Sequence, residues 1–188
     1  MIEKLFFYDL ETTGVRYWKN GIHQISGAIV IGGKVREEFD FHVKPYKDAL
    51  IEKEALDIAK ITEKDLEEYE EMSSVYKQIT RMLGSYVDKY DKKDKFHLVG
   101  YNNASFDNQF FRAFFTQNQD NYFGSWFWAD SIDLMVLSSH KLMTERSTME
   151  NFQLKTVAKK LGIAVEEEKL HDAKYDIDLC IEIYNKLK

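Results

Sequence analysis

Two acidic residues end an apolar segment near the N-terminus. The segment FFYDLE, residues 6–11, predicts a buried strand that carries Asp9 and Glu11. Side chains two positions apart share one face of a strand, with Cα atoms roughly 7 Å apart, so both carboxylates can reach common cations. Acid pairs with this spacing are frequent at strand ends, so the pair gains meaning only if other acids also face the core.

A third acid lies on the apolar face of a predicted helix. The segment NNASFDNQFF, residues 102–111, predicts a helix over 105–117. At helical spacing Asp107 shares a stripe with Phe110, Phe111 and Phe114. An acid in the first helical turn is also favoured by the helix dipole, and this explanation stays open for Asp107 taken alone.

A fourth acid faces inward on the last predicted helix, residues 172–187. Asp176 completes an apolar stripe, whereas Asp178 falls on the opposite side of the helix. The stripe consists of Ala173, Ile177, Cys180, Ile181 and Tyr184, and the acids off it are Asp172, Asp178 and Glu182. A buried, unpaired carboxylate is costly, so Asp176 should be paired, protonated or bound to a metal ion.

Four carboxylates brought together favour a metal site. Like charges at close range raise one another's pKa values, and divalent cations remove this repulsion. Oxygen ligands suit Mg²⁺ or Mn²⁺, and no cysteine–histidine spacing indicates zinc. Four such ligands around two ions are typical of phosphodiester hydrolysis by two metal ions.

A histidine precedes the last acid. His171 lies five residues before Asp176, just ahead of the predicted helix. Near neutral pH its imidazole can accept a proton from an attacking water molecule. A surface or capping role is the alternative for a lone histidine at this place.

The elements that position these residues predict an α/β domain. Strands are expected at 4–11, 23–31, 35–43, 96–101 and within WFWAD, residues 126–130, with a hairpin at Gly32 and Gly33. Helices are expected at 72–89, 105–117, 131–141, 154–161 and 172–187. An antiparallel meander followed by alternating strands and helices predicts a mixed sheet with helices packed on it.

Composition restricts the class of protein. The 188 residues suit one domain, 1–188, and the single Cys180 excludes an intrachain disulfide. No signal peptide or membrane span is expected, so we predict a soluble cytoplasmic protein. The net charge of −6 argues against a broad basic surface for nucleic acid, but not against a site that holds nucleic acid through cations.

Three motifs together resemble those of the DEDDh 3′–5′ exonucleases, the superfamily of proofreading subunits and ribonuclease T. DLETTG, residues 9–14, resembles the first motif. NNASFDNQF, residues 102–110, resembles the second, and HDAKYD, residues 171–176, the third. After the second motif, ADSIDL, residues 129–134, resembles a further acidic segment, in which Asp130 is the better match and Asp133 the rival.

The resemblance implies a ribonuclease-H-like fold with a five-stranded mixed sheet and a two-metal exonuclease site. It implies that two Mg²⁺ or Mn²⁺ ions are held by Asp9, Glu11, Asp107 and Asp176, with His171 as general base. Thr12 and Thr13 would meet the terminal sugar, and Phe106 the last base or sugar.

The resemblance also implies a substrate and partners. The expected substrate is the 3′ end of single-stranded nucleic acid, with DNA favoured over RNA and release of 5′-mononucleotides. RNA trimming and an inactive nucleic-acid-binding module of the same fold stay open as alternatives. A DNA polymerase served by proofreading or repair, and a second copy of the chain, are the further partners that the resemblance admits.

Overall fold

The computed structural model describes residues 2–169 and 173–188, and its centre is a mixed sheet of six strands. The order across the sheet is β4-β3-β2-β1-β5-β6. The strands are β1 (Lys4–Thr12), β2 (Ile22–Ile31), β3 (Lys34–Lys44), β4 (Glu70–Glu71), β5 (His97–Gly100) and β6 (Ile132–Asp133). Pairs β1–β2 and β2–β3 are antiparallel, whereas β1–β5, β5–β6 and β3–β4 are parallel.

Helices cover both faces of this sheet. They are α1 (Lys53–Ala59), α2 (Glu63–Glu68), α3 (Met72–Gly84), α4 (Asp107–Gln117), α5 (Phe123–Trp126), α6 (Leu134–Lys141), α7 (Leu154–Lys160) and α8 (Ala173–Leu187). Two short 3₁₀ helices lie at Arg146–Thr148 and Glu167–Lys169. No helix in the described ranges is long and apolar enough to cross a membrane.

The β2–β3 hairpin follows directly from its turn residues. Gly32 and Gly33 have φ values of 59° and 76°, which residues with a Cβ rarely adopt. Two central residues with positive φ form the turn that matches the twist of the flanking strands. Ile31 therefore pairs with Lys34, and β1, β2 and β3 form the predicted meander.

Alternation along β1 divides the core into two layers. Phe6, Tyr8 and Leu10 face a layer with buried side chains of α3 and α4. Leu5 and Phe7 face the other layer, with buried side chains of α7 and α8. Odd-numbered residues of β1 therefore point towards α8, and Asp9 and Glu11 continue that face.

The α/β class and the ribonuclease-H-like arrangement are confirmed, with six strands where five were expected. The last strand is Ile132–Asp133 and not the predicted WFWAD segment, because Trp126 ends α5 and only Phe127 forms a bridge, to Phe96. Helix α3 ends at Gly84, earlier than the predicted residue 89.

Candidate active site

The predicted acids gather at one edge of the sheet. Strand β1 runs parallel to β5, and β5 runs parallel to β6, so their carboxyl ends lie on the same side. Asp9 and Glu11 are near the end of β1, and Asp107 follows β5 after a short loop. Ligand sites of open α/β sheets commonly lie outside the carboxyl ends of the strands.

Asp9 is at the electrostatic centre of this edge. Burial raises the pKa of its carboxyl well above the usual range, and the charges of Asp107, Glu11 and Asp176 raise this pKa further, in that order. Charges that shift the pKa of a poorly solvated carboxyl lie close to it. The structure therefore brings all four predicted acids together around Asp9.

Asp107 is the first residue of α4 and is buried, with 6% of its surface exposed. Burial raises the pKa of its carboxyl, and Glu11 and Asp133 raise it further. Hydrogen bonds from its own backbone and from that of Leu10 act in the opposite direction. The helix thus starts with a desolvated acid pointed at the end of β1.

Asp176 and Asp178 differ in exposure, as their helical positions predict. Asp176 is half-buried, whereas Asp178 is exposed. The buried side chains of α8 are Ile177, Leu179, Cys180 and Ile183, so the apolar face is rotated relative to the predicted stripe. Burial, and then the charges of Asp9, Asp176, Asp107 and Asp133, raise the pKa of the Cys180 thiol, which places this thiol beside the acidic cluster.

The donor chemistry of this cluster fits hard divalent cations. Its ligands would be carboxylate oxygens, which Mg²⁺ and Mn²⁺ prefer, and their mutual repulsion is what such ions neutralise. Within residues 2–169 and 173–188, no three His, Cys, Asp or Glu side chains are already arranged as a metal-binding group. The fit therefore rests on the type and charge of the ligands.

Asp133 organises the loop that precedes Asp107. Its carboxylate caps α6 by accepting hydrogen bonds from the backbone N–H groups of Met135 at 2.9 Å and Val136 at 3.4 Å. The same carboxylate accepts from the N–H groups of Asn102 at 3.1 Å and Ala104 at 3.2 Å. It is 7% exposed. The prediction that Asp130 is the better match to the acid of this motif segment is wrong. Asp130 is exposed, and Asp133 makes these hydrogen bonds.

The two threonines of the first motif have different surroundings. Thr12 is half-buried and its hydroxyl donates to the carbonyl oxygen of Gly14 at 2.8 Å. Thr13 is fully buried, and its hydroxyl donates to the carbonyl of Leu50 at 2.8 Å and accepts from the N–H of Gly21 at 2.9 Å. The expected contact of the Thr13 hydroxyl with substrate is therefore corrected: this hydroxyl fixes the loop between β1 and β2.

Asn20, which the sequence analysis missed, fastens the same loop from inside. It is 1% exposed and its side-chain amide donates to the carbonyl of Leu50 at 2.9 Å and to the Glu52 carboxylate at 3.2 Å. Its side-chain oxygen accepts from the N–H of Arg16 at 2.8 Å. A Cβ on Gly14 would lie 2.3 Å from the Asn20 amide nitrogen, so only glycine fits there. Asn20 is a lone amide between strands, and its sequence context carries no signal of this role.

Phe106 and His171 complete the predicted set. Phe106 is half-buried immediately before Asp107, and its ring centre lies 5.0 Å from that of Phe110. His171 lies outside the described residues, so its role as general base stays a prediction.

The comparisons with known proteins agree with the motifs. A family model described as exonuclease, of the ribonuclease T type, matches residues 6–184. The chain is 23% identical over 177 residues to the PolC-type DNA polymerase III of Mycoplasmopsis pulmonis, covering 94% of this chain and 11% of that protein.

Solved structures share the fold. A product-bound structure of exonuclease I superposes with a TM-score of 0.74 at 22% identity, covering 99% of this chain and 43% of the other. E. coli exonuclease I in complex with a dT13 oligonucleotide superposes with a TM-score of 0.75 at 24% identity, covering 98% and 40%. The chain thus spans about two fifths of these exonuclease I chains and about a tenth of the polymerase. Since the family model covers nearly all of its length, the chain belongs to the exonuclease family, and its resemblance to the DEDDh 3′–5′ exonucleases is confirmed.

Proposed function

We propose that this chain hydrolyses the last phosphodiester bond at the 3′ end of single-stranded nucleic acid and releases 5′-mononucleotides, with DNA favoured over RNA. The observation that carries the proposal is the convergence of Glu11, Asp107 and Asp176 on Asp9, at the carboxyl edge of an exonuclease-family sheet. A chain that only bound nucleic acid would gain nothing from this costly assembly of one buried and three half-buried acids.

Asp9, Glu11, Asp107 and Asp176 would hold two divalent cations, Mg²⁺ or Mn²⁺. When bound, such ions polarise the phosphoryl oxygens and balance the charge that develops during displacement. The carboxylates must be deprotonated to act as ligands. Because the pKa values of Asp9 and Asp107 are raised, cation binding should strengthen as pH increases.

The chain's own groups have separate tasks in this proposal. His171 accepts a proton from the attacking water, whose oxygen bonds to the terminal phosphorus. The bond from phosphorus to the 3′ oxygen of the penultimate nucleotide breaks, and that oxygen takes up a proton. The Thr12 hydroxyl and the Phe106 ring are the proposed contacts to the terminal nucleotide, and both are partly accessible.

DNA is favoured because solved structures of exonuclease I with a similar fold carry DNA oligonucleotides. The 2′-hydroxyl distinguishes RNA from DNA at a contact to the sugar, so an exoribonuclease of the same architecture is the second candidate. The third candidate is an inactive module that binds without cleaving.

The test uses single strands of DNA and RNA that carry a label at the 5′ end. In Mg²⁺ we expect ladders that shorten stepwise from the 3′ end, faster for DNA, and no reaction in excess chelator. Asp107→Asn should abolish the ladders, with exposed Asp178→Asn as the matched control. Faster loss of RNA would favour the exoribonuclease, whereas tight binding without cleavage would favour the inactive module. Cuts in a circular single strand would contradict the polarity.

Service to a polymerase is a further part of the proposal. Its support is the match to a PolC-type DNA polymerase over 94% of this chain. A proofreading role predicts faster removal of a mismatched than of a paired 3′ nucleotide from a primer–template duplex. Equal rates would contradict it. A measurement of molecular mass in solution tests whether two copies of the chain associate.

A further inference from the structure

The loop between β1 and β2 exposes an aromatic pair beside the candidate active site. Tyr17 is 37% exposed and Trp18 is 61% exposed. Their rings are in edge contact, with centres 5.1 Å apart and planes at 86°. Because the two rings touch, they form a contiguous exposed aromatic patch, and such patches mark binding sites more often than single exposed side chains do.

The pair is joined to the site by a row of rings. The ring of Tyr17 lies 6.5 Å from that of Phe110, and Phe110 lies 5.0 Å from Phe106. Phe106 directly precedes Asp107, the buried acid at the start of α4. The row therefore leads from the proposed position of the terminal nucleotide to the exposed face of Trp18.

The loop that carries the pair is held rigidly. The buried Asn20 amide bonds to Leu50 and Glu52, and the Arg16 guanidinium pairs with the Glu52 carboxylate at 2.8 Å. Buried Thr13 bonds the two ends of the loop together through Gly21. Because the loop is fixed before any ligand arrives, binding on Tyr17 and Trp18 costs little conformational entropy.

The surface around the pair suits an anionic ligand although the whole chain has a net charge of −6. A depression of about 440 Å³ lies between the aromatic pair and α4, and among the residues that the structure describes no carboxylate lines it. Arg112 lines this depression. Its guanidinium carbon also lies 4.5 Å from the centre of the Phe123 ring, which is not part of the lining. Arg112 forms no ion pair within the described ranges, so its charge is available to a phosphate.

We propose that Tyr17 and Trp18 form a stacking platform for bases upstream of the cleaved nucleotide, with Arg112 facing the backbone phosphates. The occupant is a single strand, because stacking on a ring needs a base that is not paired and stacked in a duplex. This inference rests on the proposed exonuclease function and adds a second binding region to it. The platform would favour substrates longer than one nucleotide and would tolerate any base.

The test compares two substrates that differ only in the upstream strand. One is oligothymidylate, and the other is the p-nitrophenyl ester of thymidine 5′-phosphate, which has no upstream base. Trp18→Ala should raise KM for the oligonucleotide by roughly 5- to 150-fold relative to its effect on the ester, the range for loss of one stacked base. Trp18→Phe should recover part of the loss. Tyr90→Ala, at a ring that is 84% exposed on another part of the surface, is the control.

Binding measured without turnover separates this inference from the proposed function. With oligothymidylate in Ca²⁺, the wild type should lose tryptophan fluorescence and Trp18→Ala should not. Of the other two tryptophans, Trp126 is buried, and the half-buried Trp128 stacks on His97, at the end of β5 away from the candidate site. Replacing the upstream thymidines by abasic nucleotides should remove the difference between wild type and variant. If neither substrate is hydrolysed but the quenching persists, the platform stands and the exonuclease proposal fails. Equal effects on both substrates, or an unchanged Kd in Trp18→Ala, would overturn the platform.

Discussion

The carboxylate of Asp133 accepts a hydrogen bond from the backbone N–H of Asn102 at 3.1 Å, and so ties the start of α6 to the loop that leads to Asp107. One buried acid thereby serves two elements at the carboxyl edge of the sheet. Its charge also contributes to the raised pKa of the Asp107 carboxyl. Loop geometry and site electrostatics are thus coupled through this single side chain.

Removing this acceptor should cost stability and activity. In Asp133→Ala four partly buried N–H groups lose their partner. Leaving a buried N–H group without a partner costs about 1–3 kcal/mol, and these groups should cost towards the lower end of that range. We expect a lower Tm in chelator and a fall in kcat, because Asp107 loses the support of its loop. Asp130→Ala is the control, since Asp130 is exposed and surface changes stay within about 0.5 kcal/mol. An equal Tm for the two variants would contradict the role of Asp133.

The two faces of α8 provide a paired test. Asp176→Asn removes a proposed cation ligand, so turnover should collapse. It also removes a half-buried charge that raises the pKa of Asp9, so Tm in chelator should stay level or rise. Asp178→Asn changes an exposed acid and should leave turnover near that of the wild type. Turnover in Mg²⁺ and melting in chelator are measured for both. Loss of activity in Asp178→Asn alone would show that the wrong face was assigned to the site.

Divalent cations should stabilise the folded protein. An ion that binds only the native state adds about 2.7 kcal/mol when its free concentration is about a hundred times Kd. Melting is followed while Mg²⁺ or Mn²⁺ is titrated into chelator-treated protein, and Tm should increase. In Asp9→Asn the increase should shrink, because this variant lacks the carboxylate at the centre of the cluster. A Tm that does not respond to either ion would contradict the metal site.

His23 should make the fold sensitive to acid. Burial, and to a smaller extent the charge of His42, lowers the pKa of its imidazole to about 4. Both of its ring nitrogens lack a hydrogen-bond partner within the described part of the chain. The unfolded chain takes up the proton near pH 6.5 but the folded chain does not, so His23 lowers stability as pH falls from about 6.5 towards 4.

The measurement is the difference in unfolding free energy between His23→Leu and the wild type. At about pH 5 this difference should favour the variant by on the order of 2 kcal/mol more than at about pH 8. Carboxylates contribute equally to both proteins and cancel in the difference. Exposed His140→Leu should show no such change with pH. If the difference in unfolding free energy does not change with pH, His23 takes up its proton as readily in the folded chain as in the unfolded chain.

Strong periodicity explains which elements the sequence predicted. The continuous apolar run of β1, the Gly32–Gly33 turn and the aromatic stripe of α4 each carry a clear signal. The capping of α2 is a local signal of the same kind, because Thr62 and Asp65, three residues apart, cap it reciprocally. These local signals agree with the tertiary contacts, so they were sufficient to predict these elements from the sequence.

The missed elements lack such signals. Helix α1 buries only Leu56, so its sequence has almost no amphipathic pattern. Strand β4 consists of two exposed glutamates, Glu70 and Glu71, that are ordered by pairing with β3. Asn20 and Asp133 act through backbone groups 30 or so residues away, and a contact of this kind leaves no local pattern.

The first product released from a single strand tests the central claim most directly. Oligothymidylate with a 5′ label is incubated with enzyme in Mg²⁺, and the earliest products are identified by mass. We predict thymidine 5′-monophosphate together with a labelled strand that is one nucleotide shorter, and no product from Asp9→Asn. Release of the labelled 5′ nucleotide first, or the same products from Asp9→Asn, would contradict a 3′–5′ exonuclease centred on this acid.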